Sequence, residues 1–416
     1  MKTNNLIFFL TFIISLAFNN TKIFSQDRKV AWVNGLGETN AFWQNYSKAF
    51  QFERKINSNN NTYFTKNGVV SMASYIRGAV SGYDNNVGIG HSMGAVALRD
   101  IDRSNPGFFS AYITVGSPMN GANIANSINN GSAASAIASG IGKVLRGPTS
   151  SGIPVPVYDN LAADIMVNLI SKFLLEPQLN PSGYGVQTLA DLSKGGSYMN
   201  NIANFAGNRP AISIQGIENG PVHWRMASTT LQGEGNANDD DERVVKAANT
   251  LYDVYNAFYI VNSLSLNFYS ASQWKDGRDY IRDDSQSDYL YMIGAKREET
   301  GSYTYQAYMC GGNNLGYDNA YWDCLYYSAG SGSEDCSLYC YQTFTQYYTN
   351  IIEEPSDGYI PATSQIGSGT AWQRSTGDIY VAEGANHLQE GNHPNIKAQF
   401  NRIYNRTDQF FKIDPR

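Results

Sequence analysis

The run Val87-Gly88-Ile89-Gly90-His91-Ser92-Met93-Gly94 carries a short apolar strand into the pattern Gly-x-Ser-x-Gly. In a turn that tight the serine is held in a strained backbone conformation, with its hydroxyl presented for attack. Small residues two before and two after the serine are a steric requirement, because the strand and the following helix nearly collide there. A serine that attacks an acyl carbon also needs three kinds of support. It needs a base within hydrogen-bond reach, an acid that orients the base, and donors for the oxygen that becomes negative.

The chain has four histidines, so the search for the base is short. His91 adjoins the serine and is expected to point away from it across the turn. His223 lies in Gly220-Pro221-Val222-His223-Trp224-Arg225, and His393 precedes Pro394 in what reads as a helix cap or surface loop. His387 follows the strand-like run Asp378 to Ala382 after the loop Glu383-Gly384-Ala385-Asn386, so it would emerge at a strand's carboxyl edge. Its late position fits the chain order serine, acid, histidine. His387 is therefore the expected base. The expected acid is Asp357 in Ser356-Asp357-Gly358-Tyr359-Ile360-Pro361, with Glu353 and Glu354 as rivals. An Asp-Gly turn from a strand end would hold the carboxylate at the same sheet edge. The expected oxyanion donors are the backbone N–H groups of Met93 and of Leu36, the latter in the turn Asn34-Gly35-Leu36-Gly37.

These side chains need strands to carry them. Lys29 to Val33, Val87 to Gly90, Phe108 to Val115, Ala211 to Ile217 and Asp378 to Ala382 read as short buried strands. Between them, helical spacing runs over Phe42 to Phe52, Val69 to Val80, Ala95 to Arg103 and Asn395 to Ile403. Strands alternating with helices predict an α/β protein, its mostly parallel central sheet covered by helices on both faces. Residues 120–200 are expected to cap the site as a helical lid, with a small-residue stretch around Ala133 to Gly140 and an apolar helix from Ile165 to Leu175.

Residues 219–345 differ in composition and are expected to be a large Cys/Tyr-rich insertion. They hold the acidic run Asp239-Asp240-Asp241-Glu242, a helix-period segment from Val244 to Tyr259, and all four cysteines, Cys310, Cys324, Cys336 and Cys340. The acidic run most simply opens that helix, where carboxylates favour the dipole. It and Asp283-Asp284 lack the regular spacing of a calcium loop. Clustered cysteines of even number in an exported chain predict two disulfides whose pairing the sequence leaves open; the spacing does not suit zinc. No cofactor and no metal are expected.

Export is expected from the first 25 residues. Lys2 is followed by an apolar run from Leu6 to Phe18 and a polar stretch, as in a signal peptide cleaved after Ser25. The expected organisation is then a signal peptide (1–25), a core's first part (26–218), the insertion (219–345) and the core's second part (346–416). Hydrophobic residues make up 42% and charged residues 16%, which suits a globular protein. A net charge of −6 without a basic stripe argues against nucleic acid as a partner. The 29 tyrosines suit packing in a β-rich region, or contact with glycans or lipid.

With these pieces in place, the chain resembles secreted lipases of the α/β-hydrolase superfamily, in the broad group of bacterial triacylglycerol lipases and inositol-deacylase-like enzymes. The likeness rests on Val33 to Gly37, Gly90 to Gly94, Val115-Gly116-Ser117-Pro118-Met119-Asn120-Gly121, Asp357 to Pro361 and Gly384 to His387. It covers roughly residues 29–218 and 350–405. Asn34 stands where such proteins usually have histidine, and Ala95 where a second glycine is common. The resemblance implies an α/β-hydrolase fold, Ser92 as nucleophile, Asp357 and His387 as acid and base, and Leu36 and Met93 as oxyanion donors. It also implies a cap after Ser117-Pro118, an acyl-ester or lipid substrate and contact with a lipid interface. The same triad would serve an acyltransferase, an amidase or a polyester depolymerase. A glycan-binding protein on a hydrolase scaffold is the non-enzymatic alternative.

Overall fold

A computed structural model describes residues 29–53, 58–80, 86–132, 185–230, 242–308, 322–326 and 341–406, with isolated positions between them. Its strands are β1 (Lys29–Val33), β2 (Ser58–Asn60), β3 (Asn86–His91), β4 (Ala111–Val115), β5 (Ala211–Ile217), β6 (Lys296–Tyr308), β7 (Tyr341–Glu353) and β8 (Ile379–Glu383). Six of them form one sheet in the order β2-β1-β3-β4-β5-β8, every neighbouring pair parallel. Every residue of β3 and β4 is buried, as an apolar strand covered on both faces must be. In register, Trp32 lies beside Ile89, Ile89 beside Ile113 and Ile113 beside Ile212.

Helices cover both faces. The helices used below are α1 (Gln44–Glu53), α2 (Val69–Ala79), α3 (Met93–Ser104), α4 (Asn123–Asn129), α5 (Val186–Leu192), α6 (Ser197–Ala203), α7 (Val222–Thr230), α8 (Arg243–Leu264), α9 (Phe268–Asp279), α10 (Ser285–Ile293) and α11 (Pro394–Tyr404). On one face Val69, Met72 and Ile76 of α2 pack with Val96, Leu98 and Ile101 of α3. On the other, Trp43 and, in α1, Tyr46 and Phe50 meet Ile396, Phe400 and Ile403 of α11 over Trp32. Each such side chain taken out of water contributes ~1.5–3 kcal/mol. The chain goes from β1 out to β2 and then returns to β3 on β1's other side. Between β1 and β3 lies the switch point, where open α/β sheets gather ligands at the carboxyl ends of their strands.

The sheet, its order and its two helical layers give the α/β-hydrolase fold. The strands expected at Lys29 to Val33 and Ala211 to Ile217 have those bounds. The helix expected over Val244 to Tyr259 runs further, to Leu264, because nothing breaks it before Leu266, whose φ is 58°. Asn267 then caps α9, its side chain accepting from the Ser270 N–H at 3.3 Å. The end of this helical pair is apolar and exposed: Leu264 is 80% exposed, and Leu266, Phe268 and Tyr269 are exposed beside it.

The stretch 219–345 does not behave as one block. Residues up to Ala295 group with the sheet-bearing unit, as do those from Glu354 onward, whereas Lys296–Glu353 form a compact unit of their own. That second unit is an antiparallel ribbon of two 13-residue strands, paired from Lys296 with Glu353 to Tyr308 with Tyr341. Tyr303, Tyr305, Tyr347 and Tyr348 are exposed on it, and Tyr305 stacks on Phe344 at 5.7 Å. Tyr255 and Tyr289, by contrast, are buried among helices. Cys324 and Cys336 are joined by a disulfide. Cys310, Cys340, the expected signal peptide, Asp239 to Asp241 and most of the expected lid lie outside the described residues. No described helix is long and apolar enough to cross a membrane.

Candidate active site

Ser92 follows β3 directly and caps α3 with φ 50° and ψ −126°. Among the described residues only Leu266 shares a positive φ without being glycine. The steric demand read from the sequence is met on both sides of the turn. A Cβ on Gly90 would lie 2.5 Å from the Ala95 nitrogen, and one on Gly94 would lie 2.5 Å from the Asn34 carbonyl oxygen. Neither backbone atom has a flexible way out. The Ser92 N–H donates to the Val115 carbonyl at 3.0 Å, which ties the elbow to β4.

The turn after β1 closes on the serine from the other side. A Cβ on Gly35 would fall 2.9 Å from the Ser92 Cβ. Asn34, wholly buried, organises this loop: its Nδ2 donates to the carbonyls of Gly35 and Glu38 at 3.1 and 2.9 Å, and its Oδ1 accepts from the Tyr63 N–H at 2.8 Å. The residue that departs from the usual histidine thus still orients the loop. Leu36 is half-buried at the loop's tip and Met93 is buried at the first position of α3.

Asp357 and His387 meet. His387 Nδ1 lies 2.8 Å from Asp357 Oδ2, and the His387 N–H donates to the Asp357 carbonyl at 2.7 Å. The other carboxylate oxygen accepts from the N–H groups of Tyr359 and Ile360 at 2.9 and 2.7 Å. The acid therefore has both oxygens engaged and is wholly buried. Its position differs in one respect from the expected strand-end turn. β7 before it belongs to the ribbon, and Asp357 sits on a loop whose Ser356 carbonyl accepts from the Glu218 N–H at 2.8 Å, just past β5. Gly358 permits the turn at φ 98°, where a Cβ would strike Met226 Sδ at 2.3 Å. Tyr289 of α10 donates to the Gly358 carbonyl at 2.7 Å.

The loop that carries His387 is equally tied. Asn386 Nδ2 donates to Glu218 Oε2 at 3.0 Å and to Thr229 Oγ1 at 2.8 Å, and its Oδ1 accepts from the Leu388 N–H at 3.2 Å. His387 is only 5% exposed, and its ring lies 4.4 Å from that of His91, the residue before the serine. Tyr359 meets the same ring edge-on at 5.2 Å.

His91 is a part of the site that sequence reasoning passed over. Expected to point away, its ring instead packs between the candidate base and Phe42, which stacks on it at 4.2 Å. Its Nδ1 lies 2.9 Å from one oxygen of Glu38 and its Nε2 lies 3.0 Å from Glu390 Oε2. Glu38 also accepts from the Gly35 N–H at 2.5 Å. Glu390 fills a notch that two glycines leave open, since a Cβ on Gly116 or Gly216 would fall 1.9 or 2.1 Å from its oxygens. Burial pushes Glu38 up to about 8 and Glu390 well above the carboxylate range, the latter helped by the charges of Asp357 and Glu38. Burial likewise holds His91 well below the usual imidazole value, with the charge of His387 acting in the same direction. The only sequence signal for these two acids was their three-residue spacing from Gly35 and from His387.

The remaining candidates lie elsewhere. His223 is buried in α7, its Nδ1 2.7 Å from Gln286 Oε1 and its Nε2 2.8 Å from Ser285 Oγ. His393 caps α11 as expected, its ring accepting from the Asn395 N–H, but it is buried and not on the surface. Glu353 lies in the ribbon, and Glu354 Oε2 accepts from the Thr363 N–H at 3.2 Å.

No protein-family model and no curated protein matches the chain. Solved structures do, over part of its length. Phospholipase PlaB from Legionella pneumophila is 14% identical with a TM-score of 0.29, over 47% of this chain. The chain spans 40% of that phospholipase's length. The lipase BlEst2 of Bacillus licheniformis, in its mature form, is 13% identical with a TM-score of 0.30, over 52% of this chain and 79% of its own. A thermophilic esterase from Thermogutta terrifontis is 11% identical with a TM-score of 0.28, over 46% of this chain and 72% of its own. The fold assignment itself stands on the sheet order and the elbow.

Proposed function

We propose that this chain is an exported serine hydrolase that cleaves carboxylic esters, lipid esters foremost, with Ser92, His387 and Asp357 as its triad. One observation carries the reading: a buried carboxylate 2.8 Å from the imidazole of His387, whose ring lies 4.4 Å from that of His91, the residue before a serine held at φ 50° in a strand-to-helix elbow. Asp357 fixes the tautomer in which Nδ1 carries the proton, which leaves Nε2 as the base. Nε2 takes the Ser92 hydroxyl proton as Oγ bonds to the ester carbonyl carbon. The carbonyl oxygen becomes an oxyanion, received by the N–H groups of Leu36 and Met93. A donor of this kind contributes ~3–4 kcal/mol of transition-state stabilisation. His387 then protonates the alcohol oxygen as the carbon–oxygen bond breaks. The same imidazole then takes a proton from a water that attacks the acyl carbon, and gives it to Ser92 Oγ as the acyl–serine bond breaks and the acid leaves.

Preference for a lipid phase is supported by the exposed end of α8 and α9. From residue 254 to residue 274 the sequence has no charged side chain, and Leu264, Leu266 and Phe268 are exposed within that run. An uncharged apolar protrusion is suited to an aggregated ester more than to a dissolved one.

The test is labelling of the chain by a fluorophosphonate probe, with turnover of p-nitrophenyl esters of increasing chain length, below and above micelle formation. Ser92→Ala is expected to abolish labelling and to lower turnover by roughly 10⁴–10⁶-fold without changing the melting temperature. Turnover that persists in Ser92→Ala would end the reading.

A further inference from the structure

His91, His387 and Glu390 come from three separate loops, yet one ligand atom of each lies within 4.8 Å of the others, and all three residues are buried. Two features of this cluster need a cause. The first is that His91 Nε2 and both oxygens of Glu390 lack a hydrogen bond of good geometry among the described residues, although the backbone of His387 lies near His91 and that of Gly216 near Glu390. His91 Nε2 and Glu390 Oε2 are 3.0 Å apart, but too far out of line to count as a hydrogen bond. Buried polar atoms without partners cost about 1–3 kcal/mol each, so such a group marks a place where something is held. Two atoms that ligate one ion at ~2.1 Å each stand roughly 3.0–3.4 Å apart, from a right angle to the tetrahedral one, with each lone pair aimed at the ion and not at the other atom. An off-line contact of that length has this form.

The second feature is the orientation of the two rings. Each histidine has its Nδ1 on a carboxylate, His387 on Asp357 at 2.8 Å and His91 on Glu38 at 2.9 Å. A metal-bound histidine is held the same way, with a carboxylate on one nitrogen so that the other offers its lone pair. Asp357 alone is accounted for by base catalysis. Glu38 behind His91 is not, since His91 has no part in the hydrolytic steps.

We propose that His91, His387 and Glu390 form a site for one divalent transition-metal ion of the zinc type, which silences the hydrolase by occupying its base. Two imidazoles and a carboxylate are the donors that suit zinc, and they do not suit magnesium or calcium, which take oxygen. The site itself stands on the geometry of these three side chains. The inhibitory consequence rests on His387 being the base of the proposed triad.

Binding and turnover are read separately on the full exported chain. Zinc binding is followed calorimetrically, and cobalt binding by its visible spectrum, which reports a low-coordinate nitrogen–oxygen site. One zinc is expected per chain, with ester turnover falling as the site fills and returning on chelation. Ser92→Ala is expected to bind zinc as the parent does. Glu390→Gln and, independently, His91→Gln are expected to weaken zinc binding at least tenfold, and to move zinc inhibition of whatever ester turnover each variant retains to correspondingly higher zinc. Melting curves identify a variant that fails to fold, and the other variant then decides. Zinc bound equally well by the folded Glu390→Gln or His91→Gln protein overturns the site, as does an octahedral cobalt spectrum. Zinc binding with the expected variant pattern in a chain without ester turnover would leave the metal site standing and remove the triad.

Discussion

The elbow around Ser92 and the arm that carries Asp357 and His387 hold their side chains by different means. The elbow is held by short-range exclusion: Gly90 against Ala95, and Gly94 against Asn34, with no atom free to move. The arm is held by bonds between residues far apart in the chain. Asn386 reaches Glu218 and Thr229, Tyr289 reaches Gly358, and the His387 amide reaches the Asp357 carbonyl. A steric rule of this kind acts between neighbours in sequence and leaves a motif. A network of long-range bonds leaves single residues scattered over some 170 positions.

The comparison breaks most visibly where the arm meets the chemistry. Asp357→Asn is expected to keep the fold, by retaining acceptors for Tyr359 and Ile360, and to lower turnover by roughly 10³–10⁴-fold through the wrong imidazole tautomer. Steady-state kinetics with a soluble ester will measure it. In the elbow the loss should appear first as stability. Gly94→Ala places a Cβ against the Asn34 carbonyl and is expected to cost about 3 kcal/mol or more in denaturant unfolding.

His223 serves as a control outside both regions. Burial lowers it to about 4, so the folded chain keeps it neutral while the unfolded chain protonates near 6.5. The unfolded state then binds more protons between those values, and stability falls as pH drops from 6.5 towards 4, by roughly 3 kcal/mol. The effect should vanish in His223→Gln if the denaturation midpoint is followed across that range, and neither triad region need change. The smallest expected effect sharpens the arm itself. Asn386→Ala leaves Glu218 and Thr229 short of a buried donor and should cost about 1–3 kcal/mol, with turnover reduced about tenfold as the His387 loop loosens. A loss of stability without any loss of turnover would show that the bonds support the fold and not the base.

Much of the frame was legible beforehand. The parallel strands stand out because burial on both faces demands runs such as Val87 to Ile89 and Tyr112 to Val115. The pairing of Asp357 with His387 was reached by elimination among four histidines and by chain order. The domain division was harder to read. Composition changes after residue 218, but α7 to α10 carry apolar faces that pack in one unit with the sheet, and only the ribbon from Lys296 to Glu353 groups by itself.

Local exclusion and periodic burial are written residue by residue, so the amino-acid sequence alone determined the elbow, the parallel sheet and the glycines that bring two loops together. Only the tertiary structure decided that Glu38 and Glu390 close on His91, and that His91 lies against His387. Those contacts join the ends of β1, β3 and β8, and no spacing along a chain encodes the distance between strand ends that a sheet makes neighbours.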